Sequence, residues 1–170
     1  MALLSILKVP DPRLGKKAEP VTEVDDSVRK LMDDMLETMY AAPGIGLAAP
    51  QVGVLKRVIV VDVAGKDEDP APVRMANPKI VWSSEEGCQR EEGCLSVPDQ
   101  FAEVTRPAQV RVRYLDYDNT VQEIEADGLL ATCIQHEIDH LDGVLFIDYL
   151  SRIKRNIMIR KVVKATKEAS

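Results

Sequence analysis

The segment His136-Glu137-Ile138-Asp139-His140 constrains this chain more than any other. On an α-helix, residues four apart share a face, so the spacing predicts a helix that turns two imidazoles toward one ion. Glu137 lies beside that face, placed to hold a proton from a bound water. Both histidines of the 170-residue chain belong to this motif. The surrounding run, Gly128 to Asp142, is mostly apolar and stops at Gly143. A helix of that composition is buried, so the rest of the fold has to be built around it. Two ordinary surface histidines with a glutamate between them would not need that apolar helical setting.

Two imidazoles do not complete a catalytic zinc-type site, which takes a third protein ligand and keeps one position open. A further His three residues after Gly143 would serve one peptidase class, but Phe146 stands there. A downstream Glu would serve another, yet the only Glu after Glu137 is Glu168, in a basic tail. Asp142 lies two residues past His140 and points to another face, and Asp148 remains open. A thiolate is the better candidate. Cys133 and His140 are seven apart, a rise of roughly 10 Å, too long to close on one ion with His136 between them. Cys133 therefore reads as a pocket-wall residue. Cys88 reads as an incidental thiol in a polar loop. Cys94 is framed by Gly93, which permits a bend, and by Pro98, which ends the segment. The reading favours Cys94 as the third ligand. Thiolate plus imidazole suits both Zn and Fe(II).

Composition narrows the class. The hydrophobic share of 45% supports a core, and 29% charged residues exclude a membrane-embedded or low-complexity chain. No run approaches the roughly 18 apolar residues of a membrane span. Aromatics at 4% and a net charge of −6 argue against stacking on bases and against general DNA binding. Residues 151–170 carry seven basic side chains and one acid, so the preceding residues sum to −12. That basic tail is either a solvated helix face or a docking element for an anionic partner such as ribosomal RNA. Three cysteines and an N-terminus without a basic lead-in predict a cytoplasmic protein with reduced thiols.

Val28, Leu31, Met32, Met35, Leu36 and Met39 recur at helical spacing after Asp25 or Asp26 and before Pro43-Gly44. Lys56 to Val63 reads as a buried strand, residues 64–72 as an acidic loop, and Arg74 to Trp82 as a strand interrupted at Pro78. Residues 109–116 and 120–126 read as a strand pair around an Asp118-Asn119 turn. A last helix over about 151–167 puts Ile153, Ile157 and Val162 on its inner face. The expected fold is α+β: a single domain over 1–170, with mostly antiparallel strands around the central metal-binding helix and helices at both ends.

Three short motifs occur in order: Gly44-Ile45-Gly46-Leu47-Ala48-Ala49-Pro50-Gln51, then Glu92-Gly93-Cys94-Leu95-Ser96, then His136 to His140. Together with their flanks they make the chain resemble the bacterial peptide deformylases over nearly its whole length. The short 64–72 loop and helical C-terminus resemble the subgroup typical of Gram-negative bacteria. The resemblance implies a hydrolase that removes the formyl group from N-formylmethionine on nascent polypeptides. It implies Cys94, His136 and His140 as ligands of one divalent metal, Fe(II) in the cell and replaceable by Ni, Co or Zn. It implies Glu137 as general base and acid, and the Gln51 amide and Leu95 N–H as oxyanion donors.

Gly44, Ile45 and Gly46 on one side and Gly93 on the other are expected to receive an extended peptide as an added strand. By analogy Ile45, Leu129 and Cys133 would line a methionine pocket. Thr132 and Arg90 stand at family positions that are usually more hydrophobic. Phe101 stands where the family often carries a polar rim residue. Glu92 and Arg106 read equally as a brace for the Cys94 loop or as a surface ion pair. The family's work near the ribosomal exit tunnel strengthens the docking reading of the basic tail.

Overall fold

In the computed structural model, which describes residues 2–169, the architecture is α+β with antiparallel sheets. The first helix, α1 (Asp26–Ala41), starts where expected: the Asp25 side chain accepts the Val28 N–H at 3.0 Å. Its Met32, Met35 and Met39 are fully buried. The strands are β1 (Gly46–Ala48), β2 (Val58–Val61), β3 (Val73–Ser83), β4 (Gly87–Cys94), β5 (Val97–Pro107), β6 (Gln109–Leu115) and β7 (Val121–Asp127). The motif-bearing helix α2 (Gly128–Leu141) follows, and α3 (Arg152–Ala169) ends the described chain.

Five strands form one antiparallel sheet in the order β1-β2-β3-β6-β7. Strand β2 explains the layering. Its four residues are all buried, which requires cover on both faces. Ile59 and Val61 pack with Ala131, Ile134, Ile138 and Leu141 of α2. Val58 and Val60 pack with the α1 methionines. Helix α2 thus lies on one face of the sheet and α1 on the other. A third cluster joins Val97 and Val104 of β5 to Phe146, Ile147 and Val162.

Two expectations need correction. Cys88, expected in a polar loop, lies in β4 of the two-stranded sheet β4-β5 formed by residues 87–107. The cause is a charged, proline-bearing hairpin with a mostly exposed face, which blurs the period-two pattern. The segment over residues 44–51 contains a short edge strand, β1. On α3, Val162 faces inward, but Ile153 and Ile157 are exposed, at 72% and 39%; Met158 and Ile159 take the inner face instead. The interruption expected at Pro78 is a register shift between Ala76 and Lys79, with Asn77 at φ 50°. The Asn77 amide group also accepts from the Val21 N–H at 2.8 Å and donates to the Val21 carbonyl at 2.9 Å, tying down the irregular N-terminal segment.

Candidate metal centre

Helix α2 carries two functional stripes. Ala131, Ile134, Ile138 and Leu141 bind it to the sheet. Cys133, His136, Glu137 and His140 lie on another stripe, and all four are buried. The third donor comes from the β4-β5 hairpin, where the register slips between Gly93 and Cys94. Such a bulge re-aims the side chain that follows it.

Cys94, His136 and His140 converge: their donor atoms lie within 4.8 Å of one another. Cys94 Sγ is 3.4 Å from His140 Nε2. Neither Cys88 nor Cys133 joins the group. Asp142 pairs with Arg57 at 3.0 Å and Asp148 with Arg155 at 2.7 Å, so both carboxylates are engaged elsewhere.

One soft thiolate and two imidazoles fit a divalent transition metal. Three donors also match a catalytic rather than a closed structural set. A second observation agrees. Glu137 is buried, and its Oε1 has no hydrogen-bond partner among the described residues. A polar oxygen left so is one that a bound group is expected to satisfy.

The surroundings hold these groups in place. His136 Nδ1 lies 2.9 Å from Glu92 Oε1, which leaves Nε2 for the cluster. Arg106 donates to both oxygens of Glu92, at 2.7 and 2.9 Å, and to Asp139 Oδ2 at 2.8 Å. Tyr149 donates to the same Asp139 oxygen at 2.7 Å, and its ring lies under the Arg106 guanidinium. Of the two readings of Glu92 and Arg106, the structure selects the buried one: both side chains are nearly enclosed. Phe146, found where one peptidase class has a ligand, stacks on the His136 ring at 6.1 Å.

Electrostatics separate the groups. Burial opposes the His136 cation, but Glu137, Cys94 and Glu92 outweigh it and raise its pKa. His140 is lowered by burial and by the positive His136 and Arg106 nearby. Burial would raise Glu92, but its bonds to His136 and Arg106 hold it below the usual carboxylate range. Burial pushes Glu137 up to about 7, against the opposing pull of His136 and Arg106.

A cleft of about 530 Å³ opens beside the cluster, between the Gly44–Gly46 segment and the Gly93–Leu95 turn. Gln51 is enclosed. Its Oε1 accepts the Ala48 N–H at 2.9 Å, while Nε2 lies 3.0 Å from Ser96 Oγ and 3.5 Å from Cys94 Sγ. Leu95 closes the other side, its side chain resting over Gly44. Gly46 is held against the metal helix: a Cβ there would meet Glu137 Oε2 at 2.5 Å and Cys133 Sγ at 2.8 Å.

The two lip residues differ in what they offer. The Ile45 carbonyl accepts the Asp62 N–H at 2.8 Å, so it is turned into the sheet. By strand alternation the Gly46 backbone groups face the free edge, as β1 is the outermost strand. Cys133 Sγ reaches the Ile45 carbonyl at 3.5 Å, behind the lip. Leu129 is 39% exposed and lies outside the cleft lining, whereas Phe101 lines it. Sequence reasoning missed Asp139 and Tyr149; only the tertiary contact to Arg106 singles them out. Asp62, also unforeseen, ends a clear strand signal without any motif of its own.

Comparison with known proteins agrees with this geometry. The family model described as polypeptide deformylase matches residues 3–156. The chain is 58% identical to a peptide deformylase of Phenylobacterium zucineum, covering 99% of this chain and 100% of that one. It is 61% identical to one of Methylocella silvestris, covering 98% and 87%. The crystal structure of peptide deformylase from Ehrlichia chaffeensis superposes with a TM-score of 0.95 at 48% identity, covering 99% of both chains. The same organism's enzyme in complex with actinonin gives 0.93 at 50% identity, covering 97% and 98%. A matching fold, relatives alike over nearly all of this chain and a Cys/His/His group beside an open cleft lead to one conclusion: this chain belongs to the peptide deformylase family.

Proposed function

We propose that this enzyme removes the formyl group from N-formylmethionine at the start of nascent polypeptides. Cys94, His136 and His140 would hold one divalent metal, with Fe(II) the expected ion in the cell and Zn, Ni or Co its replacements. When bound, such an ion acidifies a water and polarises a carbonyl. The observation that carries the reading is the buried Glu137 beside three converging donors in the wall of an open cleft.

Glu137 takes the proton of the attacking water and returns it to the leaving amine. A carboxyl near neutrality suits both steps, because neither direction is strongly uphill. The Gln51 Nε2 group and the Leu95 N–H donate to the oxygen that becomes negative as the formyl carbon turns tetrahedral. Losing one such donor raises the barrier by about 3–4 kcal/mol. Gly46 on one wall and Gly93 on the other hold the substrate backbone by strand addition. Ile45 contributes its side chain to the methionine pocket, with Cys133 behind it and Leu129 toward the solvent side.

Formate release from a formyl-methionyl peptide, run anaerobically beside a metal analysis, tests the assignment. Glu137→Gln should bind metal normally and lose at least a hundredfold in turnover; unchanged turnover would reject the acid–base role. Cys94→Ser should lose metal or alter its preference, and Cys133→Ser should retain it.

The seven basic residues of the tail support a second part of the reading, docking of α3 on ribosomal RNA. Replacing Lys154, Lys161 and Lys164 by Gln should weaken ribosome binding in low salt and leave turnover of a short peptide within about twofold. Ribosome binding that does not respond to these changes would remove α3 from the docking surface.

A further inference from the structure

We propose that Tyr40 and Asp62 are positioning residues, a side-chain clasp that holds the Gly44–Gly46 lip of the cleft in its substrate-receiving shape. The proposal rests on the deformylase reading, since it concerns how that substrate is held.

The lip follows Pro43 after the end of α1 and runs into Gly46, the first residue of β1. Two of its three residues are glycine, so its own backbone restrains it little. Tyr40 lies at its upstream end, in the last turn of α1. Asp62 follows β2 and faces Ile45, at the downstream end. The Tyr40 hydroxyl donates to Asp62 Oδ2 at 2.5 Å, and the Asp62 N–H donates to the Ile45 carbonyl at 2.8 Å. The chain from Tyr40 to Ile45 is therefore closed into a ring by two hydrogen bonds through one residue. A separate bond ties the lip to α1 just upstream of the ring: the Gly44 N–H donates to the Met39 carbonyl at 2.7 Å.

Asp62 is more than a strand-end residue. It is 6% exposed, and its carboxylate also accepts the Ala64 N–H at 3.0 Å and the Ala71 N–H at 3.1 Å. A buried carboxylate with three donors is anchored. It is a fixed post to which the half-exposed Tyr40 attaches. Neither side chain lines the cleft or reaches the Cys/His/His group. Its effect on the reaction must pass through the lip. Strand addition depends on an edge held ready, because ordering it at binding would reduce affinity.

The clasp predicts a binding defect without a chemical one. In Tyr40→Phe the ring remains and the hydroxyl is lost. KM for a formylated tripeptide should rise about three- to tenfold, the range of one net hydrogen bond, with kcat within about twofold. Hydrogen exchange at the amides of Asp62 and Ala64 should quicken. Asp62→Asn should raise KM similarly, and the double variant should be no worse than the more severe single, since both break one link. Fully additive effects, or a KM unchanged in Tyr40→Phe, would overturn the clasp. So would a parallel fall in kcat and melting temperature, the mark of a merely structural tyrosine. The two readings fail separately: a wild-type enzyme that releases no formate rejects the proposed activity. An active wild type with an indistinguishable Tyr40→Phe rejects only the clasp.

Discussion

Gly46 is the position where the cleft wall and the metal helix come closest. An added Cβ would lie 2.5 Å from Glu137 Oε2 and 2.8 Å from Cys133 Sγ, so one of three elements would have to shift. Gly46→Ala should destabilise the fold by about 1–3 kcal/mol as an overpacked site. It should also cost activity about a hundredfold, because displacing the base by a fraction of an ångström misaligns proton transfer. Steady-state kinetics alongside urea unfolding would separate the two effects. At this scale the convergence of Cys94, His136 and His140 was legible in advance. The histidine spacing and the span argument against Cys133 rest on helix geometry, which is local. The fate of Glu92 and Arg106 was not legible. Whether that pair is buried depends on the packing of a hairpin against α2.

Among the elements, those with regular periods matched expectation best. Helix α1, helix α2 and the β6-β7 pair follow their apolar patterns. The β6-β7 turn shows why: Asp116 fixes it locally, its carboxylate accepting the Asp118 N–H at 2.9 Å, the Thr120 N–H at 3.0 Å and the Gln122 amide at 3.0 Å. The Thr120 N–H bond leads in holding this carboxyl below the usual aspartate range. Its folded pKa lies below the unfolded one, so its stabilisation is present above about pH 3.8 and fades as pH falls through the lower folded value. Asp116→Ala should therefore cost about 1 kcal/mol near neutrality and progressively less in acid. Thermal melts of both proteins across pH 2–7 would show the gap closing. The β4-β5 hairpin, by contrast, has no such local signature, and its charged residues become intelligible only beside α2.

On the scale of the whole molecule, three clusters meet at the candidate centre. The α2 cluster, the hairpin cluster with Phe146, and the lip beside α1 each supply one wall. Among the described residues no helix is long and apolar enough to cross a membrane. An ion held by Cys94, His136 and His140 would join the hairpin to α2 and bind the folded chain more tightly than the unfolded one, so it would stabilise that fold. At free metal a thousandfold above the dissociation constant the gain is about 4 kcal/mol. Anaerobic calorimetry should show a melting temperature that falls on chelation in the wild type. In Cys94→Ser most of that fall should vanish, and in Cys88→Ser it should persist.

From its order of residues alone the chain determined its helices, its α+β class and the placing of His136 and His140 on one face. These follow from spacing along a single element, where backbone geometry sets the distances. It also singled out Cys94, through a neighbouring glycine and by elimination. Tertiary structure decided how the sulfur reaches the ring nitrogens, through a slipped hairpin register some forty residues before His136. It also decided which lip backbone groups stay free and which carboxylates end up buried. Those outcomes depend on contacts between elements far apart in sequence. No local period encodes such contacts; they form only when separate apolar faces pack together.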